Sequence, residues 1–451
     1  MILVYTEKLN PRIEYIFRLI FTVILKNEVS FTTRSIDFLK SDLPKMNYSY
    51  EKFGDELFIK PHRLLYCRAL IQPDIQPVWY EGKKYFFESS PDSVYPFDPF
   101  AAAFYLVTRY EEYLRFEGDR YGRFQPEDSI LTRYGMMKKP VVDIWARMLG
   151  SKLKERFPRL EFPEPYFRFL PTIDIDNAWA YTHKGFLRSM GAFSKALSRG
   201  DFSEAGKRVR VLLGKEKDPY DTYDFLDETF RGNEDKVIYF FQVGGYSRYD
   251  RNISWKNGSF QKLIRNNSSR YSTGVHPSYA SSKKKGKNKL ASEINRLLRI
   301  TGLPTEKSRQ HYLRLRFPRT YRRLEELGIK EDYTMGYAAA TGFRAGTCTP
   351  YYFYDLKRET PTNLKIIPFQ VMDGTLKYYM KLKPEEAWNE IENLMTEVKM
   401  TGGVFVPVWH NETLAETAEW TGYREVFSKM IQKGFEWTNE EQPKIFEPQE
   451  H

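Results

Sequence analysis

The chain has 451 residues, 41% of them apolar and 16% aromatic, which excludes a disordered or low-complexity polymer and exceeds what one hydrophobic core ordinarily holds. Its 70 Lys and Arg against 59 Asp and Glu give a net charge of +11, which attracts anions in general, but no recognition-helix or stacking motif points to specific nucleic-acid binding. Two cysteines, Cys67 and Cys348, exclude a disulfide framework and a cysteine-rich zinc site.

Ile2 to Tyr5 reads as a strand and Pro11 to Leu25 as a helix. The apolar run Ile16 to Leu25 carries Arg18 and falls short of the roughly 20 residues a membrane span needs, so a core helix, no transmembrane segment and a cytoplasmic location are expected. Phe97-Asp98-Pro99-Phe100 precedes an aromatic helix reaching Tyr113, and a second helix carries Ile144, Trp145, Met148 and Leu149. No nucleotide loop, histidine pair or nucleophile motif occurs in this part, so residues 1–160 read as an accessory α/β domain. Pro158, Pro163 and Pro165 punctuate the boundary, and a second domain is expected over 165–440.

Next comes Pro171-Thr172-Ile173-Asp174-Ile175-Asp176-Asn177. Residues two apart in a strand share a face, so Asp174 and Asp176 project into one place, where they repel unless a cation, a shared proton or donors compensate. That reads as a metal or acid/base site, or else as a capping turn before a helix near Ala178. Further on, Val237 to Val243 and Ser272 to His276 read as strands, and Asn288 to Thr301 and Thr320 to Leu327 as helices. Apolar segments follow at Tyr333 to Ala338, Gly342 to Thr347 and Ile366 to Met372. A helix from Glu385 to Met400, a strand from Val404 to His410 and a helix around Tyr423 to Gln432 close the series. Such alternation implies a parallel sheet with crossover helices, closed or nearly closed into a (β/α) barrel.

In such folds chemistry gathers at the carboxyl ends of strands. Asp174 and Asp176 end one expected strand, His276 another, Arg344 a third and His410 the last. Asp373, in Val371-Met372-Asp373-Gly374, reads either as a turn residue or as a carboxylate that orients His410.

Over roughly residues 168 to 436 these motifs resemble the NodB-like polysaccharide deacetylases, carbohydrate esterase family 4, in the form whose first motif is Asp-x-Asp. The resemblance implies a distorted (β/α) barrel of the NodB type behind a smaller α/β domain. It further implies Asp174 as general base, Asp176 and His276 as metal ligands, Arg344 as the brace of the base and His410 as general acid. A divalent metal is implied, zinc first, with cobalt or nickel as alternatives. The substrate would be an N-acetylated polysaccharide or a lipid-linked saccharide precursor, with Tyr279, Trp179 and Trp409 as candidate walls for a sugar ring. One departure stands out: the family's second motif has two histidines four apart, and here the later position is Ala280 in His276-Pro277-Ser278-Tyr279-Ala280. His311 is the favoured substitute ligand and His183 the weaker one. The rival to a hydrolase is a carbohydrate-binding descendant that has lost the metal. A third reading, an anionic-polymer binder, draws on the lysines at 283–289 and the arginines between Arg314 and Arg323.

Overall fold

The computed structural model describes residues 1–440. Four short parallel strands open the chain, β1 (Ile2–Tyr5), β2 (Val29–Thr32), β3 (Lys45–Asn47) and β4 (Leu57–Phe58), in the order β2-β1-β3-β4. The expected first helix forms in two windings, an α-helix over Pro11–Phe17 and a π-helical stretch over Arg18–Ile24. Asn10 caps it by accepting from the Arg12 and Ile13 N–H groups. Ile13, Ile16, Phe17, Ile20 and Phe21 are buried, so the segment is a core helix. No helix among the described residues is long and apolar enough to cross a membrane.

After the hairpin of β5 (Val78–Tyr80) and β6 (Lys83–Tyr85), the helix Pro99–Val107 is buried along its whole length. It ends at Arg109, whose φ of 53° turns the chain into a 3-10 turn over Tyr110–Tyr113. The helix Val141–Arg156 completes this part.

β7 (Phe167–Phe169) pairs in parallel with β16 (Gly403–Phe405). The main sheet has nine strands: β8 (Thr172–Ile175), β9 (Ile238–Phe241), β10 (Ser272–Val275), β11 (Lys307–Ser308), β12 (Glu331–Asp332), β13 (Tyr351–Asp355), β14 (Thr360–Ile366), β15 (Val371–Met372) and β17 (Pro407–His410). Their order is β13-β14-β12-β11-β10-β9-β8-β17-β15, parallel except for the β13–β14 hairpin. The end strands β13 and β15 do not pair with each other, so the hydrogen-bonded ladder is open rather than a closed ring. Irregular backbone occupies the break: Phe369 N–H donates to Met335 O and Gly342 N–H to Gln370 O, while Phe343 N–H donates to Met137 O of the first part.

Alternation divides the sheet's side chains. Ile173, Ile175, Tyr239, Phe241 and Trp409 join the large core under the helices. Ile238, Phe240, Val404, Val406 and Val408 form a second cluster with Ile367 and Phe369 on the other face. Register sets Asp174 opposite both Phe240 and His410, so Asp174, Asp176 and His410 stand on the face of that second cluster, at its carboxyl end. Gly274 keeps this face narrow, because a Cβ there would lie 2.6 Å from the Phe240 ring and 2.8 Å from Lys307 O. Helices at Phe186–Ser198, Phe202–Leu212, Tyr223–Thr229 and Gly258–Ser268 add crossovers that periodicity had not marked, and no helix begins at Ala178.

Candidate metal centre and proton-transfer pair

Parallel register brings the expected residues to one level. Asp176 follows β8, His276 follows β10, Arg309 and His311 follow β11, Asp373 follows β15, and His410 ends β17. All of these but Arg309, which is buried behind them and was not expected, line with Asp174 a cavity of about 230 Å³ that Tyr312, Tyr378, Tyr379 and Glu412 also border.

Asp176, His276 and His311 each offer a ligand atom, all within 4.8 Å of one another. His276 Nε2 lies 3.1 Å from Asp176 Oδ1, and His311 Nε2 lies 3.2 Å from Asp176 Oδ2. The far side of each ring fixes its tautomer. His276 Nδ1 is 2.6 Å from the carbonyl of Arg309 and must donate there; His311 Nδ1 lies 2.9 Å from Asp250 Oδ1 and 2.7 Å from Gln242 Nε2, and we assign its proton to the carboxylate side. Neutral rings then turn Nε2 lone pairs toward carboxylate oxygens, two acceptors facing each other. Either extra protons or a cation between them must relieve this. Asp176 Oδ1 is buried with no hydrogen-bond donor, which favours the cation. Tetrahedral ligands at about 2.05 Å from an ion stand roughly 3.3 Å apart, close to the separations here. One carboxylate and two imidazoles with a position left open therefore fit a four-coordinate divalent ion. Without the ion, charges adjust to each other. Burial works against a charged Asp176, but His311 and His276 outweigh it and hold the carboxyl well below the usual range. Burial likewise works against a protonated His311, but Asp176 and Asp250 push its pKa up to about 9.

Asp174 is buried at the back of the cavity. Its Oδ1 accepts from Arg309 Nη1 at 2.7 Å, and its Oδ2 lies 3.9 Å from His276 Nε2. Arg309 was not among the expected residues. It is fully buried, donates from Nε to Tyr333 O at 3.0 Å and lies 4.6 Å over the Phe240 ring. Arg344, the expected brace, does not reach Asp174. Its Nε and Nη2 bind Glu112 at 3.0 and 2.7 Å and its Nη1 binds Gly336 O, because residues 342–347 are irregular backbone packed on the first part rather than a strand aimed at the pocket.

His410 faces Asp176 Oδ2 at 3.8 Å and holds Asp373 Oδ1 with Nδ1 at 2.8 Å. Asp373 also accepts from the His410 and Gly374 N–H groups and from the Thr413 hydroxyl. Burial opposes protonation of His410, but Asp373 dominates and raises its pKa well above the ordinary histidine value. Glu412, also missed, shares this wall; burial and Asp176 raise its carboxyl.

The other candidates lie elsewhere. His183 is exposed and packs on Trp179, and Ala280 contributes only its backbone N–H, 3.4 Å from Asp250. Trp409 points to the opposite face from His410 and packs on Phe427 in the core, so it is no wall of the cavity. Trp179 is buried as well. Tyr279 stands behind Tyr312, at 5.5 Å between ring centres.

A family of unknown function (DUF7033) matches residues 2–158. No curated protein matches the chain. Among solved structures, a candidate polysaccharide deacetylase from Mycobacterium smegmatis aligns at 12% identity over 65% of this chain and 98% of its own, with a TM-score of 0.39. A polysaccharide deacetylase from Bacillus cereus aligns at 12% identity over 60% of this chain and 88% of its own, with a TM-score of 0.30. A pseudoenzyme of carbohydrate esterase family 4 from Bacillus anthracis aligns at 10% identity over 63% of this chain and 74% of its own, also with a TM-score of 0.30.

Proposed function

We propose that this protein is a metal-dependent amidohydrolase that removes N-acetyl groups from an amino sugar in a polysaccharide or saccharide precursor, on a distorted barrel of the deacetylase type. The observation that carries the reading is the pair of imidazole Nε2 atoms turned on Asp176 while Asp174 and the Asp373–His410 pair stand beside them without joining the cluster. When bound by Asp176, His276 and His311, a divalent ion, zinc first by this donor set, supplies the charge that polarises an amide carbonyl and lowers the pKa of a water.

The chain's own residues divide the proton work. Asp174 accepts the proton of the attacking water, its carboxylate fixed by Arg309. His410 carries a proton on Nε2 because Asp373 holds Nδ1 and stabilises the cation, and it passes that proton to the leaving amine as the C–N bond breaks. Tyr312, Tyr378 and Tyr379 offer faces for the sugar ring. Residues 1–160 are read as an accessory unit that braces the open side of the sheet. His311 fills the ligand position that Ala280 leaves vacant, so Ala280 by itself gives no support to a metal-free binding protein.

Metal content and acetate release from N-acetylated glycans test the reading together. The purified protein is expected to retain one divalent ion per chain. Asp174→Asn and His410→Ala should keep it while losing acetate release by about 10² to 10⁴-fold. Undiminished release by both variants, or a chain that binds no divalent ion, overturns the proposal.

A further inference from the structure

One group of cations beside the site has no task in the reading above. Arg314, Arg316, Arg319 and Arg323 lie together next to the lysine loop at 283–285. Arg323 donates from Nη1 to Lys283 O at 2.8 Å and also binds Lys284 O. Arg314 binds Ser282 O and Oγ from Nη1 and Tyr121 O from Nε. Those partners are neutral. Among the described residues, none of these four arginines and none of the three lysines stands within ion-pair distance of a carboxylate, whereas the adjacent Arg322 and Lys287 find Asp355 and Glu326. Arg316 and Arg319 donate no side-chain hydrogen bond among the described residues. The Nε of Arg319 is buried without a partner, and Arg316 rests 5.0 Å over the Phe116 ring.

Half-burying arginines against each other with no acid in ion-pair contact is unfavourable: burial together with mutual repulsion depresses both Arg316 and Arg319, and at Arg316 the more distant Glu112 and Asp119 offset this only in part. Gly122, at φ 75°, lays bare backbone against the group: a Cβ there would lie 3.0 Å from Arg316 Nη2 and 3.5 Å from Arg314 Nε. Two aromatic rings separate the cluster from the metal ligands. The Arg314 guanidinium lies 5.3 Å from the Tyr279 ring, Tyr279 packs on Tyr312, and Tyr312 lies 4.4 Å from the His311 ring.

We propose that this cluster binds a phosphate or diphosphate group carried by the amino-sugar substrate, an inference that rests on the hydrolase reading of the neighbouring pocket. Guanidinium forks match phosphate oxygens in pairs, and the uncommitted forks of Arg316 and Arg319, beside the charge of Arg314 and Arg323, suit a compact dianion better than a carboxylate. A nucleic acid would need a longer basic track with stacking rings along it, and this group is compact, separated from the pocket by Tyr279 and Tyr312.

Calorimetry with inorganic pyrophosphate reads the cluster independently of catalysis. The full chain is expected to bind it well below 1 mM, and R316Q/R319Q at least about tenfold more weakly. The double variant should keep its thermal midpoint, since neither side chain bonds to the fold. Acetate release is then compared for free N-acetylglucosamine and its uridine-diphosphate-linked form. The linked sugar should have a kcat/KM at least about tenfold higher, an advantage absent in the double variant, whose turnover of free sugar is unchanged. Pyrophosphate binding that the substitutions do not weaken, no binding at about 1 mM, or binding to phosphatidylglycerol vesicles or DNA in place of pyrophosphate would each overturn the proposal. Arginine-dependent pyrophosphate binding without acetate release from any sugar would instead defeat the hydrolase reading and leave the anion site standing.

Discussion

Arg309 acts with both ends: its carbonyl accepts from His276 Nδ1 and its guanidinium holds Asp174 Oδ1, so one residue sets a ligand's tautomer and the orientation of the proposed base. Arg309→Gln keeps the first contact and removes the second. Its kcat for acetate release should fall by about 10² or more with metal content unchanged, measured per folded molecule because an unpaired buried carboxylate also costs stability. Arg344→Gln should lower the thermal midpoint while leaving the kcat of the folded, metal-saturated fraction near wild type. The opposite pattern would return the bracing role to Arg344. The contrast between these two arginines marks where the sequence was legible. Asp174, Asp176 and His410 stood out because period-two alternation aims them from strand ends with recognisable apolar bodies, whereas His276 follows the weaker run Ser272–Val275. Arg309 sits behind Lys307–Ser308, a two-residue strand with no apolar alternation, so nothing local announced a strand end there. His311 emerged only as the nearest histidine able to replace Ala280, and Asp250, which holds its far nitrogen, had no signal at all.

At the scale of elements, three strands of the main sheet, β11, β12 and β15, have only two residues each, and the two polar ones, β11 and β12, pair with each other inside the ladder. β12 is Glu331–Asp332, and its Asp332 is fully buried, accepting from Ser308 Oγ at 2.7 Å, Thr334 N–H at 3.0 Å and Thr334 Oγ1 at 2.9 Å. Burial outweighs these donors and pushes its pKa up to about 6 from an ordinary 3.8. The folded chain therefore takes up this proton at higher pH than the unfolded chain does. The stability contributed by protonated Asp332 is full below about pH 4 and is lost as pH rises through 6. Between pH 4 and pH 7.5 the wild type should lose up to about 3 kcal/mol more than Asp332→Asn, read as the difference in urea denaturation curves of the metal-free proteins. Equal losses would mean that the hydrogen bonds, not burial, govern this carboxylate. A buried acid in a two-residue strand also explains why β12, unlike β9 or β10, escaped a reading based on apolar periodicity.

Across the whole molecule, the boundary expected near residue 160 is bridged by a continuous core and by buried charge. Residues of both parts belong to one apolar cluster, in which Phe104 packs on Tyr354 at 5.2 Å. Tyr15 donates to Tyr352 O, and Arg12 binds Glu359 through Nε at 2.8 Å. The strongest tie is Glu112. Burial alone would raise its carboxyl, but Arg344 and Arg109 outweigh it, at 2.7 and 2.9 Å, and Arg109 also donates to the Arg344 carbonyl. Glu112→Ala strips two buried guanidiniums of their shared partner and should cost about 3 to 5 kcal/mol. Because Arg344 belongs to the irregular segment that fills the break in the sheet, the same loss should loosen the wall beside the metal cluster and lower metal affinity. A second measurement separates dependence from mere contact. If residues 1–160 complete the core, a 165–440 fragment will not fold cooperatively, and the full chain will unfold in one transition with coincident near-UV and far-UV signals. A soluble fragment with its own sharp transition and a bound metal ion would make the first 160 residues an independent domain. Glu112→Ala would then weaken the contact between two folded units without weakening metal binding.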